Sequence, residues 1–184
     1  VINAGLQTIT VNQAGAGGRK FDFDGDGKSD VSVFRPSTGV WWILNSGQAG
    51  SFAAVQFGLE NDRIVPADYD GDRKTDVAVF RDGTWYIFQS QTASVRIENW
   101  GLTADIPVPS DYDGDGRADL AVYRAGEGVW YVRRSSDNAF QAVNFGLSTD
   151  KPVPSDFDGD GRADFAVYRA GAALGADGFW AVLR

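Results

Sequence analysis

Hydrophobic residues fall along this chain in short bursts, separated by polar, glycine-rich or acidic stretches, and the bursts recur in one order four times. The first burst of each cycle is VSVFR (31–35), VAVFR (77–81), LAVYR (120–124) and FAVYR (165–169). After a glycine-containing turn comes an aromatic burst: VWWIL (40–44), TWYIF (84–88), VWYV (129–132) and FWAVL (179–183). A third run ends in an aromatic-Gly-Leu triplet, at 57–59, 100–102 and 145–147. A short proline-containing run, at 64–66, 107–109 and 152–154, leads into the next cycle. Short runs rich in β-branched and aromatic side chains, bounded by turn residues, are strands. Proline suits the end of a short strand that need not donate to a ladder. No stretch carries helical periodicity.

Each cycle therefore holds four short strands in 46, 43 or 45 residues, counted between the starts of the acidic stretches. Repeats of this length and content predict an all-β chain, a β-propeller of four compact four-stranded blades forming a single domain over 1–184. The last cycle stops after its aromatic strand, at Arg184, while residues 6–11 (LQTITV) read as a strand before the first cycle. The expectation is that 6–11 joins the last sheet and closes the ring, which removes exposed sheet edges. The alternatives are an open array, or half of an eight-bladed assembly of two chains.

The acidic stretches are DFDGDGKSD (22–30), DYDGDRKTD (68–76), DYDGDGRAD (111–119) and DFDGDGRAD (156–164). They place carboxylates at loop positions 1, 3, 5 and 9: Asp22, Asp24, Asp26 and Asp30; Asp68, Asp70, Asp72 and Asp76; Asp111, Asp113, Asp115 and Asp119; Asp156, Asp158, Asp160 and Asp164. Calcium takes about six to eight oxygen ligands, and short acidic loops supply them at alternate positions. Glycine lets such a loop turn with positive φ. Position 7, as at Arg117, offers its backbone carbonyl and leaves its charged side chain to point away. No Glu stands at position 12 and a strand begins at once, so this is not a helix-flanked EF-hand. In the second loop Arg73 replaces the glycine of position 6. A side chain there strains a left-handed backbone, so the second of up to four Ca2+ sites is expected to be the weakest.

Sixteen of the 25 acidic residues lie in these loops, and four calcium ions would cancel the net charge of −8. The acidity thus points to metal ligation. Nucleic acid is not an expected partner, because no basic patch exists to displace counterions. No apolar run is long enough for a membrane-spanning helix. The chain has no cysteine, histidine or methionine. Disulfides and the common histidine- or thiol-based mechanisms are therefore absent. The expectation is a non-enzyme; a two-carboxylate glycosidase would have to draw on Glu60, Glu98 or Glu127. The start at Val1, without a signal-like segment, reads as a processed form or excised domain. Weak calcium sites fill where calcium is millimolar, which favours an extracellular or cell-surface setting.

The DxDGDGxxD loop, the strand after it and the aromatic-Gly-Leu triplet resemble the FG-GAP (VCBS-like) repeats of integrin α-chain propellers and of many bacterial secreted proteins. The resemblance runs from about residue 21 to residue 184, plus the leading strand. It implies a calcium-stabilised propeller, usually extracellular and often used in adhesion or ligand binding. It also implies that the metal ligands are the loop aspartates and the backbone carbonyls of Lys28, Lys74, Arg117 and Arg162. Integrin propellers have more blades and longer repeats, so their ligand preferences do not carry over. The expected function is a calcium-binding, non-catalytic binding or adhesion module for an extracellular protein or glycan, as a monomer or homodimer. A lectin-like propeller and a structural spacer are the alternatives.

The remaining recurrent residues read as structural. Trp41, Trp85, Trp130 and Trp180 share one station and suggest packing between blades. Arg35, Arg81, Arg124 and Arg169 suggest ion pairs or strand caps, and Asp62, Asp105 and Asp150 suggest turns. Trp42 and Trp100 break the pattern of their stations, which makes them candidates for ligand contact. Residues 170–178 form a longer turn than its sisters, with Leu174 at an apolar tip. With the turns at 36–39 and 125–128, it predicts a ligand face at the end opposite the acidic loops.

Overall fold

The computed structural model describes residues 21–47, 50–171 and 177–184. Among them the chain forms four antiparallel sheets and no helix. The first sheet is β1 (Val31–Arg35), β2 (Val40–Leu44) and β3 (Phe52–Gln56). The second is β4 (Arg63–Ile64), β5 (Val77–Arg81), β6 (Thr84–Gln89) and β7 (Ser94–Asn99). The third is β8 (Ile106–Pro107), β9 (Leu120–Arg124), β10 (Val129–Arg133) and β11 (Phe140–Asn144). The fourth is β12 (Lys151–Pro152), β13 (Phe165–Arg169) and β14 (Phe179–Leu183). Strands follow chain order across every sheet, so each unit is a meander. The second and third units have the expected four strands. Residues 6–11, which the sequence assigns to the last sheet, lie outside the described residues.

Local chemistry explains the meander. Between β5 and β6, Asp82 (φ 50°) and Gly83 (φ 81°) both take positive φ. Such two-residue turns match the twist of paired strands. A Cβ on Gly83 would come within 2.5 Å of the Gly101 carbonyl oxygen, so only glycine lets the hairpin tip meet the exit from β7.

The core is not inside the sheets but between them. Side chains alternate along the aromatic strands, so Trp41 and Ile43, Trp85 and Ile87, and Trp130 and Val132 face one way, and all six are buried. Each pair packs on the first long strand of the next unit: Trp41 and Ile43 cluster with Val77 and Val79, Trp85 and Ile87 with Leu120 and Val122, and Trp130 and Val132 with Phe165 and Val167. A buried indole needs a partner for its N–H. The Nε1 groups of Trp41, Trp85 and Trp130 donate to the carbonyls of Phe57, Trp100 and Phe145, each at 2.8 Å. The tryptophan station thus joins unit to unit in three of its four occurrences. Trp180 is the exception, being 58% exposed.

Candidate functional site

Each acidic loop precedes the first long strand of its unit, and the first three pack beside the turn that follows the aromatic strand. The second loop shows the construction. Asp68 Oδ1 accepts the Gly71 amide at 2.6 Å and Asp68 Oδ2 the Arg73 amide at 2.8 Å. Asp70 and Asp72 accept the amides two residues ahead. Asp76 reaches back to the Tyr69 amide at 2.9 Å and across to the Ser90 amide at 2.7 Å. Ser90 also donates its hydroxyl to Asp72 at 2.9 Å. Short carboxylates that accept nearby amides set up such turns without regular secondary structure.

The result is a group of carboxylates in every loop. Asp22, Asp24 and Asp30; Asp68, Asp70 and Asp76; Asp111, Asp113 and Asp115; and Asp156, Asp158 and Asp164 each bring one oxygen within 4.8 Å of the others in its group. Asp26, Asp72, Asp119 and Asp160 belong to the same loops but fall outside these groups. Asp119 accepts the Tyr112 and Ser135 amides, at 2.8 and 2.7 Å, as Asp76 accepts those of Tyr69 and Ser90. An all-oxygen set of carboxylates suits a hard cation such as calcium or magnesium. Burial pushes the carboxyls of Asp76 and Asp119 up to about 6, against the opposing pull of the amides they accept. Burial likewise raises Asp68 and Asp111. A cation in the loop would reverse this by favouring the charged form.

Position 6 is left-handed in every loop: Gly27 has φ 92°, Arg73 70°, Gly116 88° and Gly161 89°. Arg73 therefore adopts the backbone that the sequence pattern assigns to glycine.

The loops are also joined to one another, which the sequence did not reveal. The amides of Thr75, Ala118 and Ala163 donate to the carbonyls of Asp22, Asp68 and Asp111 in the preceding loop, at 2.7, 2.7 and 2.6 Å. The position-7 side chains do not simply point away. Lys74, Arg117 and Arg162 lie across Gly25, Gly71 and Gly114, where a Cβ would come within 2.9, 2.8 and 3.1 Å of them. The second, third and fourth loops thus each carry a cationic side chain against the acidic loop before it.

The opposite end of the units is organised by arginine. Arg81, Arg124 and Arg169 make two-point ion pairs with Asp62, Asp105 and Asp150. These aspartates also accept the amides of Leu59, Leu102 and Leu147, at 2.8, 2.9 and 2.8 Å, so they form turns and ion pairs together. Arg81 and Arg124 stack over Tyr86 and Tyr131 at 4.9 and 4.4 Å. Trp42 holds the equivalent place in the first unit, under Arg35 at 5.7 Å, and is 40% exposed. Trp100 is half-buried: its Nε1 donates to the Tyr131 carbonyl at 3.2 Å, and it packs against the core between the second and third units. Leu174 lies outside the described residues. At this end a cavity of about 540 Å³ opens among Leu59, Glu60, Asn61, Arg63, Asp82 and Thr103. The sequence pattern singled out none of these six as ligand contacts, because the cavity forms where two units meet.

The FG-GAP-like repeat family matches residues 22–79 and 111–167, more than half of the chain. The chain belongs to this family. No curated protein matches it. Among solved structures, this FG-GAP-like chain is similar to an Agrocybe aegerita lectin, described by its specific recognition of non-reducing terminal N-acetylglucosamine. The two share 20% identity and a TM-score of 0.54, over 78% of this chain and 46% of the lectin. At that identity the likeness shows the fold, an all-β, propeller-like arrangement. The FG-GAP-like chain spans less than half the length of the lectin.

Proposed function

We propose that this FG-GAP-like chain is a calcium-binding extracellular module that recognises a partner without catalysis, its sheets serving as blades of a propeller. One observation carries the reading: four loops each gather three aspartate oxygens within 4.8 Å. Calcium supplies charge to such a loop and stiffens it. A hydrogen-bonded row of loops passes that rigidity along one end of the molecule, leaving the other end as a firm platform for recognition. Sites of this type fill at extracellular calcium concentrations.

A glycan is the ligand class best supported. The fold is like that of a lectin, and the cavity beside Asp62 and Arg81 offers acidic, amide, guanidinium and hydroxyl groups next to apolar Leu59. Sugar recognition needs this mixture of hydrogen-bonding groups and apolar surface. The test is a glycan array probed with the full chain in calcium, repeated with Glu60→Ala and Asp82→Ala together. Binding in calcium that the double variant loses supports a lectin. A blank array would direct the search to protein partners, and turnover in a broad hydrolase screen would overturn the non-catalytic reading.

A further inference from the structure

We propose that the bare face of the fourth sheet receives the first sheet of a second copy of this chain, head to tail. Inside the chain the same interface is built three times. Each time an aromatic strand lays its tryptophan and an aliphatic residue on the first long strand of the next unit. The two ends of the row are the unmatched halves of that interface. On the fourth unit Trp180 is 58% exposed, where Trp85 and Trp130 are fully buried, and Phe157 is 46% exposed, where Tyr69 and Tyr112 are buried. On the first unit Val31 is 68% exposed, where its counterparts Val77 and Leu120 are 5% and 3%.

The loops repeat the match. Lys74, Arg117 and Arg162 each cover a glycine of the preceding loop, whereas Gly159 in the fourth loop has no described residue within 4 Å of a Cβ built on it, and the Lys28 side chain is largely exposed. Docking unit one of a second copy on unit four would place Lys28 over Gly159 and Val31 against Trp180, continuing an interface already present three times.

A second copy is favoured over closure within the chain. Among the described residues the first and fourth faces remain exposed to solvent. Identical units that join head to tail through unlike faces form rings when the rotation closes.

The test uses the full chain in calcium, with mass measured by sedimentation equilibrium over a concentration series. The parent should assemble as concentration rises. Trp180→Asp and Val31→Asp should each lose that assembly while melting like the parent at a dilution where it is monomeric, because both side chains are exposed in the single chain. Mixing the two variants should restore a dimer, since one keeps an intact fourth face and the other an intact first face. Should either aspartate variant fail to fold, Phe157→Ser and Val31→Thr provide the same pair of blocked faces. A parent that stays monomeric, variants that assemble like the parent, or a mixture that recovers nothing would each overturn the proposal. Monomers throughout would point to closure within one chain.

Discussion

The carbonyl of Asp22 accepts the amide of Thr75 at 2.7 Å, so the first residue of one acidic loop holds the backbone of the next. Two further bonds of the same kind run from loop two to loop three and from loop three to loop four. A loop that closed on a cation would therefore order its neighbour's backbone. Coupling free energies between sites are typically about 1 kcal/mol or more, roughly fivefold in affinity. Replacing Asp68 and Asp70 together by Asn, which disables the second site, should weaken calcium binding at the first and third sites by about that factor. Titration calorimetry that finds the remaining sites unchanged would show the loops to be independent.

Chelation and pH should act on the same carboxylates. Removing calcium leaves like charges close together, and a ligand at about a hundredfold excess over its Kd contributes about 2.7 kcal/mol per site. A chelator should lower the melting temperature by about 5 °C or more. In the calcium-free protein the carboxyls of Asp76 and Asp119 sit at about 6, against about 4 in an unfolded chain. The folded state thus holds protons that the unfolded state releases. Stability of the calcium-free form should fall as pH rises from about 4 to above 6, and stay low beyond. With calcium the trend reverses, because protons compete with the metal. Melting curves across pH, with and without chelator, should therefore cross.

Arg73 has φ 70°, in the place of a glycine. A non-glycine residue in this region costs on the order of 1 kcal/mol, and a loop closed around a cation has less freedom to relax it. Arg73→Gly should strengthen the second site roughly fivefold in calcium calorimetry, to match its neighbours. Four equal sites in the parent would contradict this.

Thr75 is buried and its Oγ1 has no hydrogen-bond partner among the described residues. Alanine occupies the same loop position at Ala118 and Ala163. A buried polar atom without a partner costs about 1 kcal/mol or more. Thr75→Ala should raise the denaturation midpoint by a corresponding amount, and a lower midpoint would show that the hydroxyl is satisfied in solution.

Asp105 is buried and serves both the Arg124 guanidinium and the Leu102 amide. Asp105→Ala strands both donors and should cost about 3 kcal/mol in chemical denaturation. Asp105→Asn keeps an acceptor for Leu102 and should cost less. Equal losses would mean that an acceptor without the charge of Asp105 contributes nothing.

The sequence by itself determined what depends on neighbours along the chain. Short runs of β-branched and aromatic residues between turn residues marked the long strands, because such side chains fill a pleated, buried surface. Loop positions 1, 3, 5 and 9 marked the carboxylate groups, because a short loop can gather only its own residues. The glycine pattern picked out Arg73 as the misfit, and the structure gives it a left-handed backbone. The recurring tryptophans and arginines pointed to packing and ion pairs, which hold wherever the next unit or an aspartate is present. Only the tertiary structure decided what depends on residues a full repeat apart. It laid Lys74 across Gly25 and tied Thr75 to Asp22. It opened a cavity between Glu60 and Thr103, and it left Trp180 bare while burying Trp85 and Trp130. A repeat pattern makes all units look alike; the first and the last differ because a face is buried only when another unit lies against it.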